Sequence, residues 1–254
     1  MVSAIYKKKG LKINAVWFCN DINKTINMSK ADFVFLHGVD TNSYKTAITS
    51  KQFSLTTDLK IHPEEIFKGF SKNYRYEINR AKKENVECVT YNSVDLKNNT
   101  NLLRSFKQEY DEFVKLKGIE NTYNDLGMEQ YIQSGNVILT KAFKDNVDYA
   151  QHVYVCDKET ARLLYSVSNF RTEGVDSNLI GRANKYLHWY DIQYLHDCKV
   201  NILDWGGISS IDNPNGVDKF KREFGGHECS YYNVIIGKSI IGKIAVSLMK
   251  LKRG

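Results

Sequence analysis

The stretch DWGGISSIDNPNGVDKFKREFGG, residues 204 to 226, brings together residue types that could do chemistry. Asp204 could act as a general base or orient a substrate group, and Lys221 could stabilise developing negative charge. Gly206 and Gly207 allow backbone conformations that other residues avoid, or let a substrate approach the main chain. Their spacing is not that of a nucleotide-binding fingerprint. The alternative for Asp204 is a structural cap, in which its carboxylate accepts hydrogen bonds from the two glycine amides.

A histidine forms a second candidate site. His188 and Asp191 stand at positions i and i+3 of one predicted helix, with a tryptophan between them. An imidazole titrates near neutral pH, so His188 could act as a general base. The alternative is a hydrogen-bonded histidine at the edge of the core.

A basic helix face forms a third candidate site. Lys72 and Arg75 belong to the segment FSKNYRYEINRAKKENV, in which further lysines and arginines follow. Arginine matches the geometry of a phosphate, so this face could clamp the phosphates of an acceptor. A solvated helix surface is the alternative.

Hydrophobic patterning predicts the elements that would position these residues. Phe70, Tyr74, Ile78 and Ala81 recur at helical spacing, and a long helix is predicted for LIGRANKYLHWYDIQYLHDCK. The segments NVILTKAFKD, VDYAQHVYVCD and TARLLYSVSNF predict an antiparallel meander of three strands. SVDLKNNTN is predicted to be a loop, and Gly118 to end the helix that follows it. The order of elements predicts an α+β (α/β) fold with a mixed, mostly antiparallel sheet flanked by helices.

The last predicted element is an amphipathic helix, KSIIGKIAVSLMKLKRG. It could pack against the sheet, or it could make a peripheral membrane contact at the inner face of the membrane. In the second case its apolar side would face the lipid: Ile240, Ile241, Ile244 and Leu248.

Composition narrows the class of protein. The chain has 254 residues and a net charge of +7, which favours polyanionic partners such as phosphates, nucleotides or RNA. The five cysteines show no CxxC spacing, so neither a disulfide framework nor a metal site is expected. The amino terminus does not resemble a signal peptide, and no apolar run approaches the ~20 residues of a spanning helix. We therefore expect a cytoplasmic protein.

Three segments resemble the Fem-type branch of the GNAT acyltransferases, which includes the aminoacyltransferases that build peptidoglycan cross-bridges. FSKNYRYEINRAKKENVEC is similar to the family pattern R-x-x-I-x-x-A-x-K-x-G-V, with Asn85 in place of the glycine. ANKYLHWYDIQYLHDCKVNILDWGGIS is similar to a helix-to-strand run that ends in D-x-G-G. GVDKFKREFGG is similar to the family motif G-x-x-x-F-K-x-x-F-G-G. Together these segments cover most of residues 55 to 235.

This resemblance implies a GNAT-like fold and a site for acyl transfer. In the family, the residues that match Phe220 and Lys221 lie at the acyl-transfer site, and the region that matches Arg75 lies near the acceptor. Larger members carry two GNAT-like lobes, so residues 1–60 are interpreted as a reduced amino-terminal lobe and 61–254 as the acyltransferase domain. Short relatives with one lobe are associated with capsule or lipopolysaccharide assembly, in which the acceptor is an amino sugar.

The resemblance leaves the donor open. GNAT enzymes that use acetyl-CoA hold its pyrophosphate on a Q/R-x-x-G-x-G/A loop, and RTEGVD here matches only Arg171 and Gly174. Gly181 and Arg182, one turn into the following helix, could also contact phosphate. Fem-type enzymes use aminoacyl-tRNA and lack this loop, so its incomplete form fits both donors.

Three hypotheses follow. The preferred one is an N-acyltransferase that moves acetyl or another short acyl group from acyl-CoA to a nucleotide- or lipid-linked amino sugar of a cell-surface polysaccharide. The second is an aminoacyl-tRNA-dependent transferase acting on a peptidoglycan precursor. The third, from another class, is a non-catalytic module that binds a nucleotide or RNA. The sequence leaves the oligomeric state open.

Overall fold

The computed structural model describes residues 1–40, 47–170 and 176–251. The strands are β1 (Val2–Lys8), β2 (Leu11–Trp17), β3 (Phe33–Val39), β4 (Ile48–Asp58), β5 (Glu87–Asn92), β6 (Val137–Lys144), β7 (Val147–Cys156), β8 (Thr160–Ser168), β9 (Ile202–Asp204) and β10 (His227–Gly237). The helices are α1 (Ile22–Met28), α2 (Pro63–Lys68), α3 (Lys72–Lys83), α4 (Ser93–Asn98), α5 (Thr100–Lys117), α6 (Asp125–Gln133), α7 (Ser177–Asp197), α8 (Gly216–Arg222) and α9 (Ile240–Leu251).

All of these strands join one sheet, in the order β1-β2-β3-β10-β4-β9-β8-β7-β6-β5. Within the described residues, neighbouring strands are antiparallel except for the pairs β2–β3 and β8–β9. Each parallel pair is connected through a helix, α1 in the first and α7 in the second, as a parallel connection requires. The predicted α+β class, with a mixed and mostly antiparallel sheet flanked by helices, is confirmed.

The long helix α7 packs against β6 and β7 on one side and against α3 on the other. The four residues predicted as the buried stripe of α3 and its approach, Phe70, Tyr74, Ile78 and Ala81, are all buried. The aromatic rings of this layer meet Trp189 of α7 and Phe224 next to α8. This packing fixes α8, and with it the FKREFGG segment, against the rest of the core.

The opposite end of the sheet folds back onto the helices. The outer strand β1 packs on α6, and Tyr6 accepts a hydrogen bond from Asn124 Nδ2 at 2.9 Å. On the neighbouring strand, Trp17 Nε1 donates to the hydroxyl of Tyr131 at 3.1 Å. The curled sheet thereby encloses a cleft between its two halves.

Three helices differ from the sequence predictions. The segment SVDLKNNTN, predicted to be a loop, contains α4, because Asn92 and Asp95 form a capping box that starts a helix despite the asparagine content. The short helices α1 and α6 were also not predicted. In contrast, Gly118 ends α5 in the left-handed conformation (φ 64°), as its position predicts.

The carboxyl-terminal helix α9 packs on β10 through one narrow side. Gly242 and Val246 are buried, and Val246 lies in a cluster with Ile13, Phe33 and Ile48. The prediction that α9 packs against the sheet agrees with this contact. Among the described helices, none is long and apolar enough to cross a membrane.

Candidate functional site

The candidate site begins where the parallel strands β8 and β9 separate. The two strands pair only from Thr160↔Ile202 to Arg162↔Asp204, although β8 continues to Ser168. After Asp204 the chain stays bonded to β4, with the amide of Trp205 donating to Leu55 O and that of Ile208 to Phe53 O, and it passes close to β8 at Gly206. Among the residues that the structure describes, the edge of β8 that faces β9 therefore has no strand partner beyond Arg162.

An ion pair closes the junction of the two strands. Arg162 donates to one carboxylate oxygen of Asp204, and the two side chains are only 11% and 14% exposed. The guanidinium lies between the rings of Trp17 and Tyr231, at 5.1 Å from each ring centroid. Burial alone would lower the pKa of Arg162, but the charge of Asp204 raises it above its usual value. Arg162 is therefore held rigidly as a cation.

The other oxygen of Asp204 organises the glycine turn. It accepts hydrogen bonds from Ser54 Oγ at 2.5 Å and from the amide of Gly206 at 2.9 Å. The amide of Gly207 donates to Ser54 Oγ at 3.1 Å instead of reaching the carboxylate. Since both oxygens of Asp204 are engaged, the structure favours the capping interpretation of this residue over the general base.

Gly206 satisfies a strict steric requirement in this turn. Its φ is +82°, and a Cβ atom would lie 2.2 Å from the carbonyl oxygen of Leu163 on β8. Gly207 also has a positive φ, +86°, but its Cβ would meet nothing closer than 3.7 Å. Only glycine can bring the chain this close to β8.

Lys221 lies on α8, behind the glycine turn. Its Nζ donates to the carbonyl oxygen of Gly207 at 2.6 Å. Burial and the positive charge of Arg162 lower the pKa of Lys221 to about 8. The structure thus places three predicted residues, Asp204, Gly207 and Lys221, around one turn.

A buried carboxylate holds α8 in place. Asp218 accepts hydrogen bonds from the amide of Ser209 at 2.9 Å and, in a capping box, from the amide of Asn215. Although burial opposes its ionisation, the hydrogen bonds from Ser209 and the backbone lower the pKa of Asp218. The loop between Gly207 and α8 is therefore tied at both ends.

Phe220 and His188 lie in the aromatic layer beneath the turn. The Phe220 ring contacts Tyr74, Phe224 and His188. His188 is 4% exposed and stacks on His152 with ring centroids 4.1 Å apart. Burial, followed by the charges of His152 and Lys221, lowers the pKa of His188 well below its usual value. Like Lys221, both residues lie outside the lining of the cleft.

Asp191, the predicted companion of His188, instead pairs with His152. His152 Nδ1 lies 2.6 Å from Asp191 Oδ2, which also accepts a hydrogen bond from Tyr154 at 2.7 Å. These side chains are almost fully buried, so the network fixes α7 on β7. Three possible metal-ligating atoms, from His152, His188 and Asp191, come within 4.8 Å of one another there. Oδ2 of Asp191 is already bonded twice, whereas its buried Oδ1 has no hydrogen-bond partner in the structure.

The cleft next to the ion pair has a volume of about 620 Å³. One wall comes from the amino-terminal strands, with Trp17 and His37, and the other from β8, with Arg162. Gly206 and Asn233 lie between the walls. The lining also includes five aromatic residues, Tyr6, Phe35, Tyr123, Tyr131 and Tyr165, together with polar residues such as Glu120 and Asn121.

His37 is the titratable imidazole of this cleft. It stacks on Trp17 at 4.1 Å, and its side chain is hydrogen-bonded to Asn233. Burial, together with the charge of Arg162, lowers the pKa of His37 to about 4. The ring is therefore neutral at pH 7.

Sequence reasoning did not identify Arg162, His37, Trp17 or Tyr231. Arg162 carried one usable signal, since it is a charged residue within the apolar run TARLLYSV. The others belong to strands far away in the sequence and carry no local motif.

The residues predicted to bind the donor are placed differently. Arg171 and Gly174 lie outside the described residues. Arg182 is buried and bonds to Glu84 through two nitrogens, with Asp176 3.5 Å away. Gly181 faces the ring of Phe170. Arg182 is thus paired with carboxylates, and its predicted contact with phosphate stays a prediction.

The predicted acceptor clamp lies at the amino-terminal end of α3. Arg75 donates to the carbonyl oxygen of Lys68, and Lys72 is exposed. The amide of Ser71 donates to the carbonyl of Glu223, so this end of α3 adjoins the end of α8. The clamp remains a prediction.

Comparison with known proteins identifies the fold. No protein-family model and no curated protein sequence matches the chain. Among solved structures, FemX matches with a TM-score of 0.61 and 10% identity, over 91% of this chain and 83% of that one. The chain has the fold of FemX.

The C-terminal domain of an Agrobacterium fabrum protein assigned as a lysylphosphatidylglycerol synthetase matches with a TM-score of 0.59 and 10% identity, over 96% and 83% of the two chains.

A third solved structure has the same fold. L-PGS from Bacillus licheniformis matches with a TM-score of 0.54 and 10% identity, over 97% of this chain and 84% of that one. At such identities the likeness concerns the fold alone. The GNAT-like, Fem-like architecture expected from the sequence motifs is therefore supported by the fold.

Proposed function

We propose that the protein is an acyltransferase that moves an acyl group from an activated ester or thioester to an amine of a cell-envelope precursor. The observation that carries this proposal is the unpaired edge of β8, which borders the cleft next to the Arg162–Asp204 pair. An extended donor can add to such an edge through main-chain hydrogen bonds. Its carbonyl would then lie close to the glycine turn that Lys221 supports.

The reaction has two chemical requirements, and the site offers a group for each. The amine attacks the carbonyl carbon, the new C–N bond forms, and the bond to the sulfur or oxygen of the donor breaks. His37, neutral in the cleft, is placed to accept the proton that the amine loses. Arg162 and the ammonium of Lys221 supply positive charge for the oxyanion and the leaving group. The leaving thiolate or alkoxide takes up a proton.

Assigning the base to His37 follows from the hydrogen bonds of Asp204. Asp204 already receives Arg162 on one oxygen and Ser54 with Gly206 on the other. Neither oxygen of this carboxylate is left free to face a substrate amine. Asp204 therefore acts as a positioning residue for the glycine turn.

The structural neighbours support a role at the cell envelope. One neighbour is a domain of a protein assigned as a lysylphosphatidylglycerol synthetase, a name that describes a lysyl group joined to a lipid. An amino sugar on a nucleotide or lipid carrier is the acceptor that we prefer. Its diphosphate would meet Lys72 and Arg75.

The donor is either acyl-CoA, with acetyl-CoA as the simplest case, or aminoacyl-tRNA. Acyl-CoA remains our preferred donor. Arg182, however, is bonded to Glu84 and so is not free to bind the pyrophosphate of coenzyme A. That contact argues in favour of aminoacyl-tRNA, which is the second candidate donor.

The test offers both donors to the purified protein. Acetyl-CoA or charged tRNA is mixed with a panel of nucleotide-linked amino sugars and peptidoglycan precursors, and the acylated product is detected by mass spectrometry. We expect transfer from one donor, and Lys221→Ala should slow it by about 10²–10³-fold. Lys219→Ala, on the exposed side of the same helix, is the matched control.

Two results would contradict the proposal. One is a folded protein that consumes neither donor with any acceptor. The other is nucleotide or RNA binding that Lys221→Ala leaves intact, with no donor consumed, which would support the non-catalytic module.

A further inference from the structure

The exposed side of α9 is strongly apolar. Five large apolar side chains of this helix are between 56% and 78% exposed. They are Ile240, Ile241, Ile244, Leu248 and Leu251. At about 100° per residue, all five fall within about 100° of the helix circumference, opposite the buried Gly242 and Val246. A continuous apolar strip of this kind on a protein surface marks an interaction site.

Basic residues border this apolar strip. On α9, Lys243 and Lys250 both lie along one side of it. Three exposed lysines, Lys7, Lys8 and Lys9, stand at the end of β1 and in the turn to β2. This turn lies next to α9, because Leu11 and Tyr6 pack in the same cluster as Val246.

Few negative charges oppose these lysines. The sequence contains no Asp or Glu in residues 1–20 or 229–254. Asp32, which adjoins Gly242 through its carbonyl, has its carboxylate hydrogen-bonded to the amide of Lys12 and to Ser239. The surface around α9 is therefore both apolar and positively charged.

We propose that this surface docks the protein on a lipid bilayer that contains anionic lipids. The apolar side of α9 enters the boundary between headgroups and acyl chains, and the lysines of α9 and of the β1–β2 turn contact the acidic headgroups. A second copy of the chain fits this surface less well. In a symmetric dimer the patch meets itself, so the lysines would face lysines.

Docking would also set the direction from which the cleft is reached. Phe35 and Tyr6 both touch the α9 cluster and line the cleft. Along β10, Ile235 contacts this cluster and Asn233, two residues away on the same side of the strand, lines the cleft. The cleft therefore opens beside the proposed membrane surface. If the proposed function holds, a lipid-linked acceptor could enter without leaving the bilayer, but the docking itself does not depend on that function.

Vesicle flotation of the full chain tests the proposal. The protein is mixed with vesicles of phosphatidylcholine alone, or of phosphatidylcholine with phosphatidylglycerol, and the bound fraction is measured. We expect binding only with the anionic lipid. Raising the salt from about 0.1 M to about 1 M should weaken binding, because the screening length falls from about 10 Å to about 3 Å.

Two sets of variants separate the apolar and the electrostatic contributions. Ile244→Glu with Leu248→Glu should abolish binding, and Val94→Glu with Val217→Glu, at equally exposed sites elsewhere, should not. Replacing Lys7, Lys9 and Lys243 by Gln should weaken binding by about fivefold per lysine. The matched control replaces three exposed lysines on other surfaces, Lys83, Lys115 and Lys158, and each variant is checked by its thermal melting.

The proposal is overturned if the wild-type protein does not float with anionic vesicles. It is also overturned if both variant sets bind as tightly as their controls. A dimer that Ile244→Glu dissociates, with no binding to vesicles, would assign the surface to a second copy. None of these outcomes depends on the acyl-transfer assay, so the two proposals can fail separately.

Discussion

At the scale of single residues, Lys221 and His37 both have pKa values well below those of the free side chains. Burial and Arg162 lower the pKa of Lys221 to about 8, and burial with the same arginine lowers the pKa of His37 to about 4. Between these two values the imidazole is neutral and the ammonium is charged. That combination suits a reaction in which a base accepts a proton while a cation stabilises an oxyanion.

The rate of acyl transfer should therefore depend on pH in a bell shape. We expect kcat/KM to fall below about pH 4, where His37 becomes protonated, and to fall above about pH 8, where Lys221 loses its proton. Lys221→Arg should move the alkaline limb to higher pH, because an arginine stays charged. His37→Gln should remove the acidic limb and lower the rate by about 10²-fold.

The measurement is an initial-rate profile, with circular dichroism at each pH to confirm that the protein is folded. An alkaline limb that stays near pH 8 in Lys221→Arg would show that another group titrates there. An unchanged acidic limb in His37→Gln would remove this histidine from the mechanism.

The lowered pKa of Lys221 also makes the stability of the folded protein depend on pH. The pKa of Lys221 is lower in the folded protein than in the unfolded chain, so the folded state releases its proton first as the pH rises. The unfavourable contribution of this lysine is full below about pH 8 and declines as the pH rises toward the unfolded pKa. A charge kept in a place where it destabilises the fold is typical of a functional site.

At the scale of the elements, the glycine turn between β9 and α8 decides whether the site can form. Both Gly206 and Gly207 have positive φ, but only at Gly206 would a Cβ collide with β8. The two positions thus form a matched pair. Each alanine substitution strains the backbone, and only one also clashes.

We expect Gly207→Ala to destabilise the protein by about 1 kcal/mol through the positive φ alone. Gly206→Ala should cost a further 1–3 kcal/mol or so, because the strands β8 and β9 must move apart. Urea unfolding of the two variants measures the difference. Equal losses would show that the turn can relax away from Leu163.

The sequence predicted the elements whose signals are local. The stripes of α3 and α7 follow a helical period, and the meander β6–β7–β8 alternates, so each was predicted near its observed bounds. The helix α4 was missed because its asparagines favour loops in general, although the capping box of Asn92 and Asp95 starts a helix here. Composition reports only the average preference of asparagine for loops, so it does not reveal that one capping box starts a helix at this position.

The candidate site was predictable only where its residues are neighbours in the chain. Asp204, Gly206, Gly207 and Lys221 belong to one stretch, and the structure brings them together. His37 and Arg162 belong to distant strands, and only the order of the strands in the sheet places both at the same cleft. No periodicity in the sequence reports that order.

At the scale of the whole molecule, β10 joins the two ends of the chain. It lies between β3 and β4, with register from Tyr232↔Val39 to Gly237↔Phe33 on one side and from His227↔Thr56 to Ile235↔Ile48 on the other. Both partners belong to residues 1–60, the predicted amino-terminal lobe. The described strands therefore form one continuous sheet across the predicted domain boundary, which itself remains a prediction.

The continuity of the sheet predicts how a truncated chain behaves. In a fragment of residues 61–254, β10 would lose both of its neighbours, and β9 would lose β4. Arg162 would lose Trp17, and Asp204 would lose Ser54. Because an unpaired strand exposes a row of unsatisfied backbone groups, we expect this fragment to aggregate or to unfold without a cooperative transition.

Supplying residues 1–60 as a separate peptide should restore some cooperative melting, since the missing strands can pair with β10. A fragment 61–254 that is monomeric and melts cooperatively near the temperature of the full chain would show instead that the acyltransferase domain folds alone, and that the first 60 residues are an addition to it.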